Sequence, residues 1–243
     1  MMLSFPETCG HNCEKIEISK CRYWKKHYTP LLEEIHTINF DTISADEALS
    51  ISKRLDKAVR AEWGVCAIVF FRLPFVINFI VEIGNRFGEN DKILENVIAI
   101  LHFVVNRPSK AKTLTIYEFM FRHKEHTHKR IRRLIADTIP FFTEFNDYNE
   151  KWEYIMAIPK IAPKRDSINI FRWVIEDKLE QIPSKLKPQI IAVFDKYIAK
   201  FNPYQCDKCR MFALITALGD MRENSTCQKG KGCLYKASET EKG

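Results

Sequence analysis

Glycine is scarce in this chain, with 8 residues in 243. Folds that turn tightly or cradle phosphates on glycine loops need far more of it, so all-β sandwiches and Gly-loop nucleotide folds are disfavoured. Sustained apolar–polar alternation is also missing, and no strand is predicted. A long apolar run is missing too. The most apolar stretch, Val65 to Ile83, carries Arg72, Pro74, Asn78 and Glu82, so it reads as two buried helices and not a membrane span. No secretory signal is seen, because Met1 to Pro6 is followed at once by Cys9, His11 and Cys13. The eight cysteines are therefore expected as reduced thiols or metal ligands in the cytoplasm or nucleus, not as a disulfide framework. Enzyme signatures are absent: there is no Gly-rich phosphate loop, no His-Glu-x-x-His, no Gly-x-Ser-x-Gly and no paired-acid motif.

What is present is a folding composition. Hydrophobic residues make up 46% and charged residues 28% of the chain, which excludes disorder as a whole. The net charge of +7 suits a nucleic acid, an acidic protein or an anionic surface without choosing among them.

Residues 1–28 read as an irregular Cys- and aromatic-rich arm, 29–203 as a helical body, and 204–243 as a Cys-rich tail. Thr29-Pro30 opens a short helix, and Ser44-Ala-Asp-Glu47 is a capping box for the next. That helix carries Ala48, Ile51, Ser52, Leu55 and Val59 on one stripe. Helix then runs from about 61 to 71, breaks at Pro74, and resumes to about 87. Residues 91–105 are apolar around most of their circumference, as in a helix sandwiched between neighbours. A short helix follows over 114–121.

The strongest amphipathic pattern covers Lys129 to Phe145. With each residue turning about 100°, Leu134, Ile135, Ile139, Phe142 and Phe145 all fall within roughly 80° of Ile131. Pro140 should kink or split this helix. Further helices are expected over 148–158, 167–181 and 188–201, ended by Pro159, Pro183 and Pro203. The expected fold is all-α, with about ten helices in an α-solenoid or an irregular bundle and a zinc-like Cys-rich extension. The expected core includes Trp63, Phe70, Leu101, Leu134, Ile139, Phe142, Trp173 and Phe194. Trp24 is read as part of an arm tucked against the body, Cys66 as an inert core thiol, and His102 as a partly exposed residue beside Glu95.

The segment Ile131-Arg132-Arg133-Leu134-Ile135-Ala136-Asp137-Thr138-Ile139 resembles the second helix of a HEAT repeat. That helix reads valine-arginine, two variable residues, two small residues, two variable residues, leucine. Ile135 stands where a small residue is usual. A weaker echo is Val59-Arg60-Ala61-Glu62-Trp63-Gly64, where Trp63 is out of pattern. The resemblance implies scaffolding, with stacked helix pairs that bind a protein partner along an extended surface.

Three constellations bear on chemistry. Cys206-x2-Cys209 followed by Cys227-x5-Cys233 supplies four thiolates, the number a structural zinc needs at about 2.3 Å per sulfur. Here CxxC is expected to form one tight turn, and the later pair to close the site. Cys9, His11, Cys13 and Cys21, with His27, form a second and less regular cluster. The run Arg122-His-Lys-Glu-His-Thr-His-Lys-Arg-Ile-Arg-Arg133 sets six cationic side chains against one Glu. Arg122, Lys124, Lys129, Arg130 and Arg133 are its candidate anion or nucleic-acid contacts, with bound anions relieving the clash of Lys129 and Arg130 with the helix N-terminus. His123, His126 and His128 sit among cationic neighbours that repel a metal ion. The leading reading is a non-catalytic helical scaffold that binds a protein partner. The alternative is an RNA- or DNA-binding protein using 122–133, and the third is an enzyme whose residues are dispersed along the chain.

Overall fold

A computed structural model describes residues 21–61, 65–106, 111–161, 165–201 and 205–220. Twelve α-helices and no strand occur among the described residues. The chain divides into two compact units, Met1–Asp147 and Tyr148–Gly243.

The first unit contains α1 (Arg22–His27), α2 (Thr29–Thr37), α3 (Ala45–Ala61), α4 (Val65–Phe70), α5 (Pro74–Phe87), α6 (Asp91–Asn106), α7 (Leu114–Arg122) and α8 (Lys129–Ala136). Helix α6 is its axis and packs on α3, α5 and α8. That is why it is apolar almost all round, with Ile93, Leu94, Val97, Ile98, Ile100, Leu101 and Val104 fully buried. The capping box of α3 forms as its sequence reads. The Ser44 backbone N–H donates to Glu47 Oε2 at 2.8 Å, and the Glu47 N–H donates to Ser44 Oγ at 3.3 Å. Asn96 Nδ2 donates to the buried Ser52 Oγ at 3.1 Å and fixes the register of α6 on α3.

Helix α5 crosses α6 and α7 at Gly84. A Cβ there would stand 2.8 Å from Phe119 Cε2 and 3.0 Å from Val97 Cγ1, so a larger residue has no room. The break at Pro74 separates α4 from α5 as expected, with Pro74 opening α5. Among the described residues no helix is long and apolar enough to cross a membrane.

Several expectations are corrected. Residues 22–27 are helical, not irregular, and Trp24 is buried, stacked on Tyr28 with ring centroids 5.4 Å apart. Pro30 does open α2, but Tyr28 and not Thr29 is the cap residue, and it makes no side-chain cap bond. The amphipathic helix from Lys129 ends at Ala136, not near Phe145, and is followed by 3-10 turns at Ile139–Phe141 and Glu144–Asp147. The cause is Pro140. Its ring would collide with the Ala136 carbonyl, and it biases Ile139 away from helical dihedrals. Thr138 Oγ1 donates instead to the Leu134 carbonyl at 2.7 Å. Ile139, Phe142 and Phe145 are buried all the same, whereas Leu134 is only half-buried. The HEAT-like nine residues therefore span a helix end and a 3-10 turn.

The second unit contains α9 (Lys151–Ile161), α10 (Arg165–Asp177), α11 (Lys187–Phe201) and α12 (Gln205–Ala217). Helix α9 packs on α10, and α11 on α12. Phe171 of α10 and Phe194 of α11 meet with ring centroids 5.5 Å apart. Pro159 does not end α9, which runs on to Ile161. Burial of Tyr154, Ile155 and Ile158 holds that turn despite the lost N–H. Helix α12 closes on Gly219 at φ 102°, with Asp220 N donating to Ile215 O and Gly219 N to Thr216 O, a Schellman ending.

Trp173, expected in the core, is 41% exposed. On α10 it lies nearly opposite Phe171, whose face, with Ile168 and Ile175, is the buried one. Phe70, Leu101, Ile139, Phe142 and Phe194 are buried as expected, and the side chain of Trp63 lies outside the described residues.

Candidate functional site

The basic run begins at the end of α7 and continues through a loop into α8. Arg122 is exposed. Its guanidinium donates to Asn85 Oδ1 at 2.8 Å and lies 5.7 Å from the Phe119 ring centroid. Lys124 is half-buried, with Nζ 4.3 Å from the Phe121 ring centroid. Lys129 is exposed in the first turn of α8, and Arg133 is half-buried in the last. Arg130 Nη1 pairs with Glu95 Oε1 at 2.9 Å.

Sequence reasoning missed these acidic partners, which come from α6. His126 Nε2 stands 3.6 Å from Asp91 Oδ1, and His128 Nδ1 stands 3.9 Å from Glu95 Oε2. Asp91 and Glu95, one turn apart at the start of α6, thus face the basic loop and offset part of its charge. The only signal in the sequence was Asp91 and Glu95 at helical spacing, with nothing to say what they faced. His123 is half-buried against Phe119, and burial, then Arg122 and His126, lowers its pKa from 6.5. Helix α8 starts at His128 with no side-chain cap bond and no acidic residue in its first turn. Its N-terminal N–H groups and Lys129 face the same end.

His102 is partly exposed, as expected, at 12% of its side chain, and its Nε2 stands 3.7 Å from Asp137 Oδ2 at the end of α8. Thr138 Oγ1 donates to Leu134 O and stands 2.9 Å from His102 Nδ1, and Asn106 Nδ2 stands 3.0 Å from the same ring nitrogen. Asn106 Nδ2 donates to the Asp137 carbonyl at 3.0 Å. This network closes α8 onto the last turn of α6.

The cysteines separate. Cys206 and Cys209 stand one turn apart on α12 rather than in a tight turn, and Cys227 and Cys233 lie outside the described residues. Cys9, His11 and Cys13 lie outside them as well. Cys21 is buried beside Cys66, with the sulfurs 3.8 Å apart. Among the described residues no group of three or more His, Cys, Asp or Glu side chains is placed to hold a metal ion.

A cleft of about 390 Å³ opens between α2 and α3, lined in part by Glu34, Thr37, Asn39, Glu47, Ser50 and Arg54. Its two carboxylates are already engaged. Glu34 Oε2 accepts from Arg54 Nη1 at 2.6 Å, and Glu47 caps α3. The residues sequence reasoning missed altogether lie on α10. Arg172 is 1% exposed, its guanidinium 5.6 Å from the Trp173 ring centroid and its Nη1 3.2 Å from Glu176 Oε2. A buried cation beneath an exposed indole fixes that ring at the surface.

No protein family, no curated protein and no solved structure matches this chain.

Proposed function

We propose that this chain is a non-catalytic helical scaffold, with HEAT-like pairing of helices, that binds a protein partner through the α10 surface around Trp173. The observation that carries this reading is the indole itself. An exposed tryptophan backed by a fully buried arginine presents a large, rigid aromatic surface, and such residues dominate binding energy at protein interfaces. The engaged carboxylates of the α2–α3 cleft leave that pocket without a group prepared for acid–base work. An intracellular setting belongs to the same proposal and rests on the eight cysteines.

A second reading keeps the basic run as an anion or nucleic-acid contact. What supports it is the start of α8, where no carboxylate caps the helix and Lys129 is exposed. Against it stands the pairing of Arg130 with Glu95.

Affinity capture from native extract, with and without nuclease, separates the two. Wild type, Trp173→Ala and the triple change Arg122→Ala, Lys129→Ala, Arg133→Ala are compared. The scaffold reading expects a nuclease-resistant protein partner that Trp173→Ala loses at least tenfold and the triple variant keeps. Capture that disappears with nuclease and with the triple variant overturns it in favour of nucleic acid.

A further inference from the structure

Cys21 is the residue that opens α1, and Cys66 lies in the first turn of α4. Their sulfurs are 3.8 Å apart although 45 residues separate them in sequence. Both are buried, at 5% and 3% exposure. Around them Trp24, Tyr28 and Phe70 form an aromatic cluster, with Tyr28 and Phe70 ring centroids 5.0 Å apart. Burial first, and the neighbouring Cys66 second, push the Tyr28 phenol upward, so it stays protonated. Helix α1 has six residues and packs chiefly on α2, so its opening exposes Cys21 without unfolding the rest of the unit.

We propose that Cys21 and Cys66 are a thiol–disulfide site, which hydrogen peroxide converts into a covalent tie between α1 and α4. One thiolate attacks the peroxide oxygen. The O–O bond breaks, hydroxide leaves and takes a proton to become water, and a sulfenic acid remains. The second thiolate attacks the sulfenic sulfur, the S–O bond breaks and a second water departs. Each sulfur loses one electron, and the peroxide gains two. The sulfurs close from 3.8 Å to about 2.05 Å, a movement under 2 Å that settles the start of α1 onto α4. The bond encloses the chain from α1 through α3, so it restricts the unfolded state over a long loop.

The test uses the full chain. Reduced protein is treated with a small excess of hydrogen peroxide, quenched, and mapped by peptide mass spectrometry without reduction, with thermal melts recorded alongside. The expected result is a peptide carrying Cys21 linked to one carrying Cys66. A rise in Tm of roughly 5–15 °C should accompany it and be reversed by dithiothreitol. Cys21→Ser and Cys66→Ser should each abolish the rise, and Cys209→Ser should retain it. The map of the wild-type protein decides the matter even where a variant fails to fold. Recovery of Cys21 and Cys66 unlinked, or linked to other cysteines, overturns the proposal, as does an unchanged Tm in a protein that carries the link.

Discussion

Trp173 shows how residue type and helix phase give different answers. A tryptophan in an apolar helix is most simply a core anchor, and on that ground it was expected inside. The spacing of Ile168, Phe171 and Ile175 already put Trp173 on the opposite face, and the structure follows the spacing. The role of Arg172 beneath it was not legible, because a buried arginine is rare and nothing in one sequence marks it. Gly84 was equally silent. Its meaning depends on how closely α7 approaches α5, which is a tertiary fact. Alanine at position 84 gains about 1 kcal/mol of helix propensity. Its Cβ would press on the fully buried Phe119 and on Val97, an overpacking that costs about 1–3 kcal/mol. Gly84→Ala is therefore expected to destabilise the protein by up to about 2 kcal/mol, read as a lower urea midpoint at unchanged slope. A higher midpoint would mean that α5 and α7 are not in close contact.

At the scale of elements, local rules held where the chemistry was local. The capping box of α3, the break at Pro74 and the all-round burial of α6 follow from residues within one or two turns. The end of α8 was harder. The apolar stripe continues through Phe145, but Pro140 withholds an N–H and forces the chain into 3-10 turns that still bury Ile139, Phe142 and Phe145. Burial was legible there and helical continuity was not. The basic run was legible as charge, but its ion pairs with α6 join residues more than thirty positions apart, which no periodicity reports. One consequence is testable in pH. The pKa of His123 in the folded protein lies below 6.5, so the unfolded chain takes up the proton first as the pH falls. Its contribution is fully present above about pH 6.5 and is lost as the pH drops below that, levelling off under the folded-state value. Tm measured from about pH 7.5 down to 5 should fall less steeply in His123→Asn than in wild type. Parallel curves would show that His123 is as solvated as in an unfolded chain.

At the scale of the molecule, composition sufficed for the all-helical fold, since low glycine and helical periods act over the whole chain. The division at Asp147 and Tyr148 was not legible, because short polar turns look alike whether they join helices or units. The zinc proposal belongs at this scale too. If Cys206, Cys209, Cys227 and Cys233 share one metal, the freshly purified chain carries about one zinc, and chelation loosens the segment after α11 before the rest. Less than about half an equivalent of zinc counts against it. The central claim is that the Trp173 surface meets a protein. A photo-reactive phenylalanine analogue placed at position 173, irradiated in the native setting, tests it most directly, with the same analogue at position 129 for comparison. The account predicts a discrete protein adduct at 173, resistant to nuclease and competed by unlabelled wild-type protein. No protein adduct at 173, with a nuclease-sensitive adduct at 129, would contradict it.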